Sequence, residues 1–125
     1  MAIKIVGFVK KRPDLTFEQF KEYWLTKHSI LEKDNVANNP VRKIVASFPT
    51  EQSLRAGYGD QDRMFDGMVE LYFANMEDLQ KHMSTGQREV MRKDEENFID
   101  LTVDPVFILT EEYVMAEKTP RETGV

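Results

Sequence analysis

The sequence predicts one α+β domain, with elements in the order β-α-β-β-α-β around an antiparallel sheet. Three observations predict it. Four short runs alternate in the period-2 manner of strands. An amphipathic stretch, LTFEQFKEYWLTKHSIL, fills the gap between the first and second runs. A second helical region, broken at Gly86, fills the gap between the third and fourth.

The first strand covers Ile3 to Lys10. Ile3, Ile5, Gly7 and Val9 alternate with Lys4, Val6, Phe8 and Lys10, and both sets contain apolar residues. Gly7 removes a side chain in mid-strand, which suits close packing or leaves room for a ligand. Arg12-Pro13-Asp14 then turns the chain, because Pro13 cannot donate to a ladder and Asp14 favours turns.

The opening helix follows, with Thr16 as N-cap and Gln19 completing a capping box. Phe17, Phe20, Trp24, His28 and Leu31 recur at steps of three and four and share one face. The helix is expected to fray after Lys33, where Asp34-Asn35 and Asn38-Asn39-Pro40 are turn formers.

The second strand is expected over Val41 to Phe48, stopped by Pro49. Thr50 to Arg63 shows no sustained period and reads as a long loop, a lid or an interface arm. The third strand covers Met64 to Phe73. Phe65, Gly67, Val69, Leu71 and Phe73 form its core face, and Asp66, Met68, Glu70 and Tyr72 the other. Asn75 caps the next helical region, with Asp78 at the third helical position. Pro105 closes the connection to a fourth strand, Val106 to Val114. Residues 1–115 are expected to form the domain and residues 116–125 a polar tail.

This order is that of the ferredoxin-like split unit, in which two right-handed crossovers put both helices on one sheet face. The other face then lacks cover within the chain although its strands carry apolar residues. Leaving several Val, Ile and Phe side chains wet costs many kcal/mol at roughly 25 cal/mol per Å². A second copy packed through the sheet faces is the simplest remedy, so a homodimer is expected.

Composition excludes several classes. Net charge is −5 with both signs interspersed, which does not fit nucleic-acid binding. Cysteine is absent, which removes disulfides, thiolate catalysis and thiolate metal sites and suits a cytoplasmic location. The N-terminus lacks the pattern of a secretory signal. No apolar run approaches the about 20 residues of a membrane span. His28 and His82 lack HxxxH or HxxE spacing, so a metal site is not expected. Gly57-Tyr58-Gly59 has no strand-to-helix context and is not a phosphate loop.

The opening helix, with a Thr cap, then Phe, Tyr-Trp and His, resembles the signature of the EthD-like branch of the dimeric α/β-barrel superfamily. FDGMVELYFANMEDL is similar to that family's third strand and following turn, and RKDEENFIDL and ILTEEYV to its closing helix and last strand. The resemblance runs from Ile3 to Val114. It implies a ferredoxin-like monomer that pairs into a barrel, with a pocket between sheet and helices. It also implies cofactor-free lyase, cyclase, dehydratase or isomerase chemistry on a small aromatic, polyketide-like or lactone compound. The family's first-helix histidine falls on His28. The long Thr50–Arg63 loop departs from the pattern, as does the lack of a second histidine on the second strand.

Imidazole titrates near neutrality, so His28 is the expected general acid/base. Asp94 interrupts an apolar stripe at a phase that points inward, and Tyr72 is placed to donate to a developing enolate. These three form the expected catalytic set. Phe8, Phe20, Tyr23 and Trp24, with Asp66 and Glu70, form the expected substrate-binding set. Asp66 and Glu70 are about 13 Å apart along a strand, too far for a paired dyad. Two alternatives stand beside this reading. One is a non-catalytic, dimeric small-molecule-binding or accessory protein of a degradation pathway. The other is a cofactor-independent monooxygenase.

Overall fold

The computed structural model describes residues 2–55, 65–103 and 106–119. Its elements are β1 (Ala2–Val9), α1 (Phe17–Tyr23), a π-helical turn (Trp24–His28), α2 (Ser29–Asn38), β2 (Lys43–Ser47), α3 (Glu51–Arg55), β3 (Gly67–Phe73), α4 (Met76–Met83), α5 (Gln87–Glu95) and β4 (Val106–Glu112). The strands pair antiparallel in the order β2-β3-β1-β4. This is the ferredoxin-like arrangement expected from the element order.

Register separates the two sheet faces. Ile5 pairs with Leu71 and Leu109, Gly7 with Val69 and Phe107, and Ile44 with Leu71. These residues share the face that carries the helices. Lys4, Val6 and Phe8 pair with Tyr72, Glu70 and Met68 on β3, and with Thr110, Ile108 and Val106 on β4. That second face has no helix over it among the described residues.

The core on the helical side has two parts. Val9, Phe20, Trp24, Phe98 and Ile99 form one, and Val41, Phe73 and Leu79 the other. Gly67 is glycine because α1 and the π turn press on β3 there: a Cβ would lie 2.8 Å from the Trp24 ring and 3.2 Å from Phe20. Gly7 likewise lets the Phe107 ring lie against the strand, which is the close-packing alternative of its two readings.

Local signals explain most element ends. Thr16 accepts from the Gln19 N–H while the Gln19 side chain accepts from the Thr16 N–H, the expected capping box. Asn75 caps α4 through the Asp78 N–H. Gly86, at φ +78°, separates α4 from α5, a conformation that suits glycine.

Several boundaries differ from expectation. The first helical region does not fray after Lys33 but continues to Asn38. Its asparagines bond back along the helix, Asn38 to Asp34 and Asn39 to Asn35, rather than turning the chain. A short helix, Glu51–Arg55, occupies the start of the expected Thr50–Arg63 loop. The rest of that loop, with Gly57 and Gly59, lies outside the described residues, as do Met64, Pro105 and residues 120–125 of the expected tail. β3 starts at Gly67, and Phe65 turns its ring toward Phe8 instead of joining the core face. β2 and β4 are shorter than expected. No helix among the described residues is long and apolar enough to cross a membrane.

Candidate functional site

A cavity of about 660 Å³ lies between the helices and the inner sheet face. Its sheet wall is apolar, with Ile5, Val69, Leu71 and Leu109 among its residues. Its helical wall carries the polar groups His28, Glu32, Asn35, His82, Arg88, Arg92 and Glu95. A mostly apolar hollow with a few convergent polar groups has the usual make-up of a small-molecule site.

The π turn sets the helical wall. Phe20, Trp24, His28 and Glu32 follow one another at strict steps of four. On an α-helix such a row drifts by about 40° per step, because 3.6 residues close a turn. The wider turn at Trp24–His28, closed by the Ser29 N–H to the Trp24 carbonyl, takes that drift back. Glu32 therefore reaches the cavity, where its carboxylate accepts from Trp24 Nε1 at 3.2 and 3.3 Å. Single π turns inside α-helices are frequent at functional sites.

His28 is 3% exposed. Its Nδ1 lies 2.8 Å from Asp94 Oδ2. Asp94 Oδ1 accepts from the Tyr23 hydroxyl at 2.7 Å and from Asn97 Nδ2 at 3.2 Å. Burial works against ionising Asp94, but the bonds from Tyr23, His28 and Asn97 outweigh it and hold the carboxyl below its usual range. Asp94 is thus a carboxylate, an acceptor only, and the imidazole proton belongs on Nδ1. Nε2 then carries the lone pair, and no hydrogen bond among the described residues engages it. Burial pushes the His28 pKa down despite the pull of Asp94, so the ring is neutral at pH 7. Its other neighbours are aromatic: Phe98 at 4.9 Å and Trp24 at 6.4 Å between centroids.

Of the glutamates that share the cavity with this imidazole, Glu32 and Glu95 are shifted by burial. Burial pushes Glu32 up to about 7, against the Trp24 hydrogen bond and with added repulsion from Glu95. Burial likewise pushes Glu95 up to about 7, opposed by Arg92 and Arg88. Near neutrality each exists partly as an acid. Among the described residues no group of three or more His, Asp or Glu side chains is arranged to hold a metal ion.

The residues singled out from sequence divide sharply. His28 and Trp24 line the cavity. Asp94 stands behind His28 and touches it directly. Tyr23 is not a wall residue; its hydroxyl holds Asp94 and its ring stacks on Phe98 at 5.1 Å. Phe20 is fully buried in the core, ringed by Phe17, Trp24, Phe48 and Phe98.

The other four lie away from the cavity. Tyr72 and Glu70 are on the far sheet face, where Lys4 bridges Glu70 at 2.6 Å and Glu112 at 2.9 Å. There Lys43 stands over the Tyr72 ring, 4.5 Å from its centroid. Phe8 shares that face, against Phe65. Asp66 accepts the Lys11 N–H at 2.9 Å and so fastens the exit of β1. Strand parity accounts for Phe8: an alternation that puts Val9 under the helices puts Phe8 opposite. Sequence reading missed Glu32, Asn35, Arg88, Arg92 and Glu95. The one available signal was the four-residue spacing that continues from His28 to Glu32.

Comparison with known proteins agrees with this architecture. The fold is similar to that of an EthD-family protein from Bacillus halodurans C-125, with a TM-score of 0.64 at 20% identity over 90% of this chain and 100% of that one. An EthD-like protein from Ralstonia eutropha JMP134 aligns with a TM-score of 0.63 at 16% identity, over 92% and 95% of the two chains. A protein from Bacteroides fragilis NCTC 9343, described as dimeric, ferredoxin-like and of unknown function, aligns with a TM-score of 0.59 at 13% identity, over 89% and 96%. No curated protein matches the sequence. The EthD domain itself is matched over residues 12–102, which span α1 through α5 and every polar group of the cavity, and the chain therefore belongs to the EthD family.

Proposed function

We propose that the cavity binds a small, largely apolar compound and that His28 moves a proton to and from it. The chain acts as a cofactor-independent lyase or isomerase, with cyclisation and dehydration in the same chemical range. One observation carries this reading: a buried, neutral imidazole whose Nδ1–H is held by Asp94 lines a cavity of about 660 Å³. Nε2 takes a proton from a carbon next to a carbonyl, and the Asp94 carboxylate stabilises the imidazolium that forms. Glu32, one turn along and about half protonated at pH 7, returns a proton to the product carbon or to a leaving hydroxyl. Trp24 and Phe98 supply flat walls for a ring.

The test is hydrogen–deuterium exchange at the α-carbon of 2-tetralone and related aromatic ketones in D₂O, followed by NMR. The protein should accelerate exchange, and His28→Ala should abolish the acceleration. Exchange unchanged by the protein, or surviving within a few-fold in His28→Ala, contradicts the assignment. A second reading, binding without conversion, is favoured by the largely apolar sheet wall. It predicts ketone binding that His28→Ala leaves intact and no exchange at all.

The working unit under this proposal is a homodimer joined through the sheet faces. On the far face Val106 and Ile108 are exposed, with Phe8 and Val6 paired beside them and Met68 and Val45 further across the same face. Proteins of similar fold from Bacteroides fragilis and Thermobifida fusca are described as dimeric and ferredoxin-like. Sedimentation at micromolar concentration should give twice the chain mass; a monomer there refutes this part.

A further inference from the structure

His82 lines the same cavity from a different helix. It lies in the last turn of α4, is 4% exposed, and packs its ring on Phe73 at 5.2 Å. Its Nδ1 is buried without a hydrogen-bond partner. A buried, unpaired N–H is the rarest of unsatisfied groups, so the proton belongs on Nε2 and Nδ1 keeps a lone pair. Burial, and then the nearby Arg88 charge, hold the ring neutral. His82 is thus the tautomeric opposite of His28, with an N–H available where His28 has a lone pair. Among the described residues no hydrogen bond engages that Nε2.

Cationic charge gathers beside it. Arg88 and Arg92, one turn apart on α5, both line the cavity, with Glu89 as the acidic residue between them. Arg88 makes no ion pair or hydrogen bond among the described residues. Trp24 stands over Gly67 and His82 over Phe73, the two ends of β3, which are about 20 Å apart along the strand. The cavity therefore has two polar regions of different character on an apolar sheet wall.

We propose that His82 and Arg88 form an anion-recognition end of the cavity, which takes a carboxylate on the ligand while the reacting carbon lies toward His28. The guanidinium supplies charge and a planar pair of donors, and the neutral imidazole adds one directed N–H. The ligand class is then a small, largely apolar carboxylic acid, with a flat ring suited to the walls that Trp24 and Phe98 supply. This rests on the reading of the cavity as a ligand site, not on proton transfer by His28.

The experiment is calorimetric titration of the intact protein with benzoate, 2-naphthoate and 4-phenylbenzoate, each against its amide. At least one carboxylate should bind tenfold or more tightly than its amide. Arg88→Gln, an exposed position that leaves the core untouched, should remove that preference while the affinity for the amide stays within about twofold. His28→Ala should leave the preference in place. In long-range ¹H–¹⁵N NMR spectra, which contain two histidines, His82 should be the Nε2–H tautomer, with its Nε2 resonance moved by the carboxylate. No carboxylate binding, equal binding of every acid and its amide, or a preference that survives Arg88→Gln overturns the proposal. Exchange chemistry that fails while the Arg88-dependent preference holds refutes the role of His28 alone.

Discussion

His28 and Asp94 are 66 residues apart in the chain, and 2.8 Å separates Nδ1 of one from Oδ2 of the other. The contact joins the π turn after α1 to the last turn of α5 and fixes which imidazole nitrogen carries the proton. Asp94→Asn keeps the shape but ends this control, because an amide can donate as well as accept. Ketone exchange should fall by about 10²-fold or more, with binding of the ketone little changed. Exchange rates for wild type and Asp94→Asn at saturating ketone check this. An effect confined to affinity would make Asp94 a binding group instead.

Proton-transfer activity should persist into mildly acid solution. The His28 pKa lies below its ordinary 6.5 because burial disfavours the charged ring, so the base form survives below that pH. A rate–pH profile should place the acidic limb under 6.5. A limb at 7 or above would mean that Asp94 outweighs burial.

Glu32 links pH to stability. Its folded pKa, about 7, stands above the ordinary 4.5. Between these values the folded chain holds a proton that the unfolded chain has released, so Glu32's own contribution to stability is greatest below 4.5 and declines as pH rises toward 7. Glu32→Gln removes that decline. The variant should be more stable than wild type at pH 8 by on the order of 1–3 kcal/mol, with the difference shrinking toward pH 4.5. Urea denaturation at both pH values measures it.

Gly67→Ala should cost about 1–3 kcal/mol, the usual penalty for an added carbon in a filled core. The new Cβ would lie 2.8 Å from the Trp24 ring. Trp24 is the one tryptophan of the chain, so its emission should shift in the variant. Thr16→Ala offers a milder comparison on the same helix: loss of the cap bond to Gln19 should cost about 1 kcal/mol and leave that emission alone.

Local chemistry in the sequence accounts for much of this structure. Thr16 with Gln19, Asn75 with Asp78, and Gly86 mark helix ends by their own side chains or lack of one, and those ends are where the structure has them. Asp94 stands out because a charge in an apolar stripe needs a partner. Tyr72 and Glu70 show a different limit. Alternation reveals that they share a face, yet the partners that engage them, Lys4 and Glu112, come from strands far away in sequence. The π turn has no local signature. Its Trp24 packs among aromatic rings from α1, from Phe48 just after β2 and from the segment after α5, contacts remote in sequence, and without the turn Glu32 stays hidden among surface residues.

The placement of one proton on His28 underlies the proposed chemistry. Long-range ¹H–¹⁵N NMR of the imidazoles, recorded at pH 7 in wild type and Asp94→Asn, reads it directly. A neutral His28 in the Nδ1–H form is expected, with its tautomer balance shifted in the variant. An Nε2–H tautomer or an imidazolium at that pH would contradict it.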